Sequence, residues 1–242
     1  MIKIHDKATR GRTRTGWLNS YHTFSFGAFN DPSRMGFNAL RVINDDTLIP
    51  AGGFAAHDHS DMDILTLVLD GALRHEDDQG NIAVIRAGEV QAMSAGSGVR
   101  HSEFNASETD TTRFLQIWLI PNETGGTPTY AQAKVPETGN VLLAGEGGLM
   151  PVRSGARLWL RRFEEGAIQH VSVSDNDHFV HLIDGLADAE GERVSAGDGL
   201  QVPAPEAVSL AWQTAGAALV FEMPPARLAA PSLAANQAEL HP

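Results

Sequence analysis

The feature that most constrains this chain is a recurrence of short segments rich in β-branched, leucine and aromatic residues. They recur between Gly, Asp and Asn turns. They fall at residues 37–43, 64–69, 82–85, 114–120, 158–163, 179–183, 208–212 and 218–223. Such spacing predicts an all-β sandwich or barrel. Stretches of helical period are missing, apart from an Ala-rich tail over 225–240 that Pro231 interrupts. The segment Asp77-Asp-Gln-Gly-Asn81 reads as a hairpin turn, and the Gly/Pro/Thr stretch 121–139 as a crossing between two halves.

Those halves echo one another. Residues 67–71, ending in Asp70-Gly71, match 181–185, ending in Asp184-Gly185, and Ala87-Gly88-Glu89 matches Ala196-Gly197-Asp198. A duplicated β-barrel is the expected architecture, and 242 residues are enough for two small domains.

Charge and cysteine usage narrow the chemistry. Thirty acidic against 18 basic side chains leave a net charge of −12, which disfavours nucleic acid as the main partner. A 42% hydrophobic, 20% charged composition excludes disorder and collagen-like repeats. The absence of cysteine excludes a disulfide framework, a thiolate metal site and a cysteine nucleophile, so any metal must be held by carboxylates and the ten histidines. Residues 1–14 carry Lys3, Lys7, Arg10, Arg12 and Arg14 against Asp6, and read as a solvated basic arm pairing with an acidic body. The first residues are charged where a signal peptide would be apolar, and the longest apolar stretch, 215–221, is far short of a membrane span. The expectation is a soluble, cytoplasmic protein with no membrane segment.

Two places put potential ligands two residues apart: His57-Asp58-His59 and His101-Ser102-Glu103. Alternate residues of a strand share a face, so each pair can offer both side chains to one point inside a barrel. Three imidazoles and one carboxylate suit Fe(II), Ni(II), Mn(II) or Cu(II) with two positions left open. Aligning the echoes places Val171 and Val173 opposite His57 and His59, and Leu210 and Trp212 opposite His101 and Glu103, so the second half is expected to be metal-free. His22 and His75 read as structural hydrogen-bonding residues. His178 and His181, three apart, fall on opposite faces of one strand, and His170 lies near another. Gly96-Ser97-Gly98 reads as a flexible turn, because the Lys and helix of a phosphate loop are missing.

The stretches from Gly53 through His57, His59 and Asp63 to Gly71, and from Ala87 through His101 and Glu103 to Asn105, are similar to the two metal-binding motifs of pirins in the cupin superfamily. Residues 17–26 resemble pirins too. The resemblance implies a bicupin, two double-stranded β-helix (jelly-roll) barrels in tandem. Residues 1–125 would form the metal-binding barrel, and 126–242 a barrel without ligands that carries the Ala-rich tail. It also implies one divalent transition metal on His57, His59, His101 and Glu103. Iron(II) is the usual assignment, with nickel, manganese, copper, cobalt or zinc as alternatives. The chain departs from the pattern at Asp58, where pirins usually have Pro, and at Asp63, where they usually have Glu; the shorter Asp63 puts in question any hydrogen bond to a ligand histidine.

Several bacterial pirins resemble quercetin dioxygenases, which open the central ring of a flavonol with O₂ and release carbon monoxide. On that basis Glu103 is both ligand and candidate base, and Phe54, Met62, Met93 and Phe104 are candidates for an apolar wall around an aromatic substrate. Two other expectations stand beside this one. Pirins are also described as regulatory modules whose metal senses redox state, with a protein partner; a cupin isomerase or hydrolase would act without O₂.

Overall fold

Strands this short bury one alternating face each and gain stability only when two sheets close over a shared interior. In the computed structural model, which describes residues 1–171 and 175–225, the segments do this twice. The chain opens with β1 (Lys3–His5), which belongs to the second of two units. The first unit comprises residues 11–135 and 150–154. Its larger sheet contains β2 (Gly11–Arg14), β3 (Leu18–His22), β4 (Leu40–Leu48), β6 (Asp63–Asp70), β9 (Glu89–Ser94), β11 (Thr112–Leu119) and β12 (Thr129–Lys134). The strand order is β12-β9-β6-β11-β4-β3-β2. The smaller sheet contains β5 (Gly53–His59), β7 (Ala72–Asp77), β8 (Ile82–Arg86) and β10 (Val99–Asn105), in the order β5-β10-β7-β8.

Register across the larger sheet sorts its inner face into layers. Val42, Trp118, Ile64, Met93 and Tyr130 are directly opposed from strand to strand. Met62, Ala95 and Val99 complete this apolar cluster. The next row is polar throughout: His22, Asn44, Gln116, Thr66, Gln91 and Gln132. Beyond it lies a second apolar cluster of Leu18, Leu48, Val68, Leu73, Ile85 and Phe114. Each large apolar side chain buried this way stabilises the unit by about 1.5–3 kcal/mol. A polar band between two such clusters is tolerated only where its groups are hydrogen-bonded.

The second unit, residues 1–10, 136–149 and 155–225, repeats the plan. Its strands are β13 (Val141–Ala144), β14 (Arg157–Phe163), β15 (Ile168–Val171), β16 (Asp177–Asp184), β17 (Leu186–Ala189), β18 (Glu192–Ser195), β19 (Gly199–Val202), β20 (Val208–Trp212) and β21 (Gly216–Met223). The sheets are ordered β1-β19-β16-β21-β14-β13 and β15-β20-β17-β18. The second matches β5-β10-β7-β8 strand for strand. The sequence echo has a backbone cause: Gly71 and Gly185, at φ 74° and 85°, turn the chain after equivalent strands β6 and β16. A Cβ at Gly71 would also meet Thr112, and one at Gly185 would meet Ala215 and Gly216.

Three expectations need correction. The basic arm is structured rather than simply solvated. β1 pairs with β19, and Lys7 bonds Asp198 through its backbone and Ser195 through its side chain, while β2 pairs with β3. The stretch 121–139 is not only a crossing, since β12 lies in it and extends the sheet beside β9; its half-exposed edge position permits the polar sequence that conceals it. The units are not divided at residue 125, because each sheet recruits strands distant in sequence. The Ala-rich tail from residue 226 onward lies outside the described residues. Among the described residues, no helix is long and apolar enough to cross a membrane.

Candidate metal centre

β10 pairs antiparallel with β5, setting His101 opposite His57 and Val99 opposite His59. The register then shifts, so that Glu103 stands opposite Phe54. Directly opposed residues share a face, so this bulge keeps Phe54 on the inner side with His57 although three positions separate them. The rings of His57, His59 and His101 lie 4.5–5.0 Å apart centroid to centroid. One nitrogen from each falls within 4.8 Å of the others. His59 and His101 are buried and His57 is half-buried.

Burial pushes His59 down to about 3, with the neighbouring His57 adding to the effect, and holds His101 well below its ordinary value. Both are therefore neutral imidazoles at physiological pH, the form that binds a metal. His57 donates from Nδ1 to the Ala55 carbonyl at 2.7 Å, which leaves Nε2 as a lone pair. His101 Nε2 is buried with no hydrogen-bond partner. An orphaned buried ring nitrogen facing two other imidazoles fits a divalent transition ion.

Glu103 is fully buried one strand-step further in, and its place is fixed by the polar row. Gln91 Nε2 donates to Oε1 at 2.7 Å, Thr66 donates to the same oxygen at 3.4 Å, and Gln116 Nε2 donates to Oε2 at 2.7 Å. Its carboxylate groups within 4.8 Å with His75 and His101. The structure thus assembles three of the four expected ligands around one point and sets the fourth beside His101, clamped by amides.

The apolar wall divides. Met62 and Met93 are buried in the cluster that contains Trp118, and Trp118 meets the His59 ring edge-on at 5.0 Å. Phe54 packs edge-on against Trp17 at 5.0 Å and lies 6.3 Å from His57. Phe104 is not part of the interior: the period-two alternation that turns Glu103 and Asn105 inward turns it outward, where it is 38% exposed.

His75 is a hydrogen-bonding residue as the sequence suggested, but sequence reasoning missed that it, Tyr130 and a row of amides surround the candidate ligands. His75, directly opposite Glu103 on β7, is fully buried. It faces Asp77 at 3.1 Å and His101 at 3.5 Å, and stacks on Tyr130 at 4.7 Å. Tyr130 donates to Gln91 Oε1 at 3.0 Å, and burial pushes its hydroxyl above the ordinary tyrosine value. The available signal was a lone polar residue inside an apolar strand: Gln116 between Leu115 and Ile117, Gln91 between Val90 and Ala92, Thr66 between Leu65 and Leu67.

Other expectations fare variously. Asp58 points away from the site and pairs with Arg100 in an exposed contact. Asp63 bonds no histidine; it accepts from Ser94 Oγ at 2.7 Å and from the backbone amides of Arg153 and Ser154. His22 is a structural residue, bonded at 2.8 Å to Asn44 and at 2.8 Å to Thr13. Gly96 and Gly98 form a turn with positive φ.

The second unit has apolar side chains where the first has its candidate ligands, in a register that shifts the expected alignment. Gly185 on Gly71 sets Ala189 at the place of His75, and Ala189 faces Leu210, as His75 faces Glu103. Leu210 therefore corresponds to Glu103, and Val208, opposite Val171, corresponds to His101. Val171, Val208 and Leu210 are all buried. Val173 lies outside the described residues. Among the described residues of this unit, no three His, Asp or Glu side chains converge as they do in the first.

Two jelly rolls in one chain, with convergent imidazoles among the described residues in the first alone, define a bicupin with one candidate metal centre. Residues 5–119 match the pirin family model and residues 143–223 that of the quercetinase C-terminal cupin domain. The chain belongs to the pirin family. It is 38% identical over 231 residues to a quercetin 2,3-dioxygenase of Escherichia coli K12, covering 93% of this chain and 100% of the relative. It is 39% identical over 193 residues to a pirin-like protein of Caulobacter vibrioides, covering 76% and 83%. Its fold matches the crystal structure of the E. coli pirin YhhW in complex with nickel(II), with a TM-score of 0.88 and 37% identity over 93% of this chain and 100% of that one.

Proposed function

We propose that this chain is a metal-dependent dioxygenase that opens the central ring of a flavonol of the quercetin type with O₂ and releases carbon monoxide. The observation that carries this reading is the trio of imidazoles with ligand atoms within 4.8 Å, His101 Nε2 among them buried and unpartnered. The relative named quercetin 2,3-dioxygenase and the nickel(II) in the E. coli pirin support it.

His57, His59 and His101 hold the ion, with Glu103 as the fourth ligand. Iron(II) is the proposed occupant, and the same donors suit nickel, manganese, copper, cobalt or zinc. An ion bound there would supply Lewis acidity toward an enolic oxygen. Glu103 takes the proton of the flavonol hydroxyl, and Gln91 and Gln116 aim its carboxylate. Met62 and Met93, with Trp118 beside His59, supply an apolar surface for the aromatic rings. That wall excludes water from the reacting face.

The test is anaerobic loading with Fe(II) followed by O₂ and quercetin, recording flavonol absorbance and carbon monoxide, with His101→Ala alongside. Metal-dependent bleaching with carbon monoxide supports the dioxygenase. One bound metal per chain without turnover overturns it in favour of a redox-sensing module. The His101→Ala chain is expected to lose metal and turnover together, since the ion loses one of its ligands.

A further inference from the structure

We propose that His75, outside the ligand set, is the positioning residue that fixes His101 in the tautomer able to bind a metal, with Asp77 fixing His75 in turn. The proposal rests on the ligand set of the preceding section. Asp77 is the anchor. Both of its oxygens accept from the Asn81 side-chain amide, at 3.1 and 2.8 Å, which marks it as an acceptor. Its Oδ1 accepts from the backbone amides of Gln79 and Asn81 at 3.0 and 2.9 Å, so the β7–β8 turn holds the carboxylate rigidly.

A carboxylate oxygen accepts, so in the tautomer that satisfies both contacts of the ring the His75 nitrogen 3.1 Å from Asp77 Oδ2, Nε2, carries the proton. Its Nδ1 is then a lone pair, 3.5 Å from His101 Nδ1. The contact is a hydrogen bond only if His101 carries its proton on Nδ1. The lone pair of His101 is thereby placed on Nε2, the buried atom that has no partner. Each proton assignment forces the next. His75 cannot turn away from this arrangement, because its ring stacks on Tyr130 with an interplanar angle of 26° and is fully buried.

His75 also reaches the other ligand side. Tyr130, stacked on it, donates to Gln91, which donates to Glu103. One ring thus braces both members of the β10 pair, His101 by a hydrogen bond and Glu103 through packing. Groups that orient a metal-binding imidazole commonly change metal affinity by about 10–100-fold when removed.

The test uses the full chain with His75→Phe, which keeps a flat ring on Tyr130 but no acceptor, and His75→Gln, whose side-chain oxygen can accept from His101. In metal-free protein, the nitrogen-15 shifts of His101 are expected to report an Nδ1–H tautomer in the native chain and in His75→Gln, and to move toward Nε2–H in His75→Phe. Ni(II) affinity is expected to fall about 10–100-fold in His75→Phe and to recover most of that in His75→Gln. X-ray absorption of the nickel-loaded proteins is expected to count three imidazoles in both native and His75→Phe chains. An unchanged tautomer and affinity in a folded His75→Phe chain overturns the proposal. So does a fall to two imidazoles, which would make His75 a ligand. Should the Phe variant fail to fold, Asp77→Leu, which removes the acceptor of His75 Nε2, tests the same chain of protons, and an unchanged tautomer and affinity there overturn it. The tautomer is read without metal, so a failure of the ligand assignment shows separately as an intact Nδ1–H tautomer in a protein that binds no nickel.

Discussion

Gln116 Nε2 lies 2.7 Å from Glu103 Oε2, both side chains are buried, and it is the donor that serves that oxygen. The other oxygen is served twice, by Gln91 and Thr66. Gln116→Leu therefore strands one carboxylate oxygen away from water and is expected to destabilise the metal-free protein by about 1.5–3 kcal/mol. Thr66→Val leaves Gln91 in place and is expected to cost less. Urea unfolding of both variants checks the ranking, and equal costs would show that the two oxygens are not held independently.

Asp46 sits next to this row on the inner face of β4, opposite Phe114. Burial pushes its carboxyl up to about 7, against a bond from Ser20, with the charges of Asp45 and Glu103 adding to the rise. The folded chain thus keeps this proton to a higher pH than the unfolded chain, whose Asp titrates near 3.9. The stability this group contributes is full below about pH 4 and is lost as pH climbs to about 7, the slope ∂ΔG/∂pH being negative between. Asp46→Asn is expected to remove that slope, gaining up to about 4 kcal/mol relative to the native chain above pH 7. The difference between the two unfolding curves from pH 4 to 8 isolates Asp46 from His59 and His101, whose lowered values make the native chain lose stability as pH falls below about 6.5.

How far the site was legible in the sequence follows from how side chains point. The His57/His59 and His101/Glu103 pairs are period-two features within single strands, so spacing alone put them on one face. The glycines after β6 and β16 showed the duplication because only their backbone geometry requires them. Tertiary choices were not legible. The bulge between β5 and β10 turns Phe54 inward, the alternation of β10 turns Phe104 outward, and His75 reaches His101 only because β7 pairs with β10. Register between strands distant in sequence decides all three.

Asp63 illustrates a role that its neighbourhood in sequence does not suggest. It lies four residues from His59, yet accepts from Ser94 and from the amides of Arg153 and Ser154, tying the 150–154 segment to β6. Asp63→Ala is expected to cost about 2–3 kcal/mol, because two backbone N–H groups lose their acceptor. Amide exchange at Arg153 and Ser154 should accelerate, while metal affinity changes by less than about threefold, since no ligand loses a hydrogen bond. A large loss of metal affinity would mean that Asp63 acts on the histidines after all.

The second jelly roll yields a stoichiometry. Its strands match the first in order, but buried Val171, Val208 and Leu210 occupy the places of His57, His101 and Glu103, and Ala189 that of His75. An ion set among aliphatic side chains would have no lone pairs to replace its hydration, a cost that no packing there offsets. His178 does not restore a site: its inner-face neighbours across the strands are Val202 and Glu222, the latter tied to Arg157 at 3.5 Å. The chain is expected to bind one divalent ion, measured by inductively coupled plasma mass spectrometry after dialysis. His101→Ala should take that number to zero, and His178→Ala should leave it at one. Two ions per native chain, or a loss of half the metal in His178→Ala, would place a second centre in the barrel whose ligand positions carry aliphatic side chains.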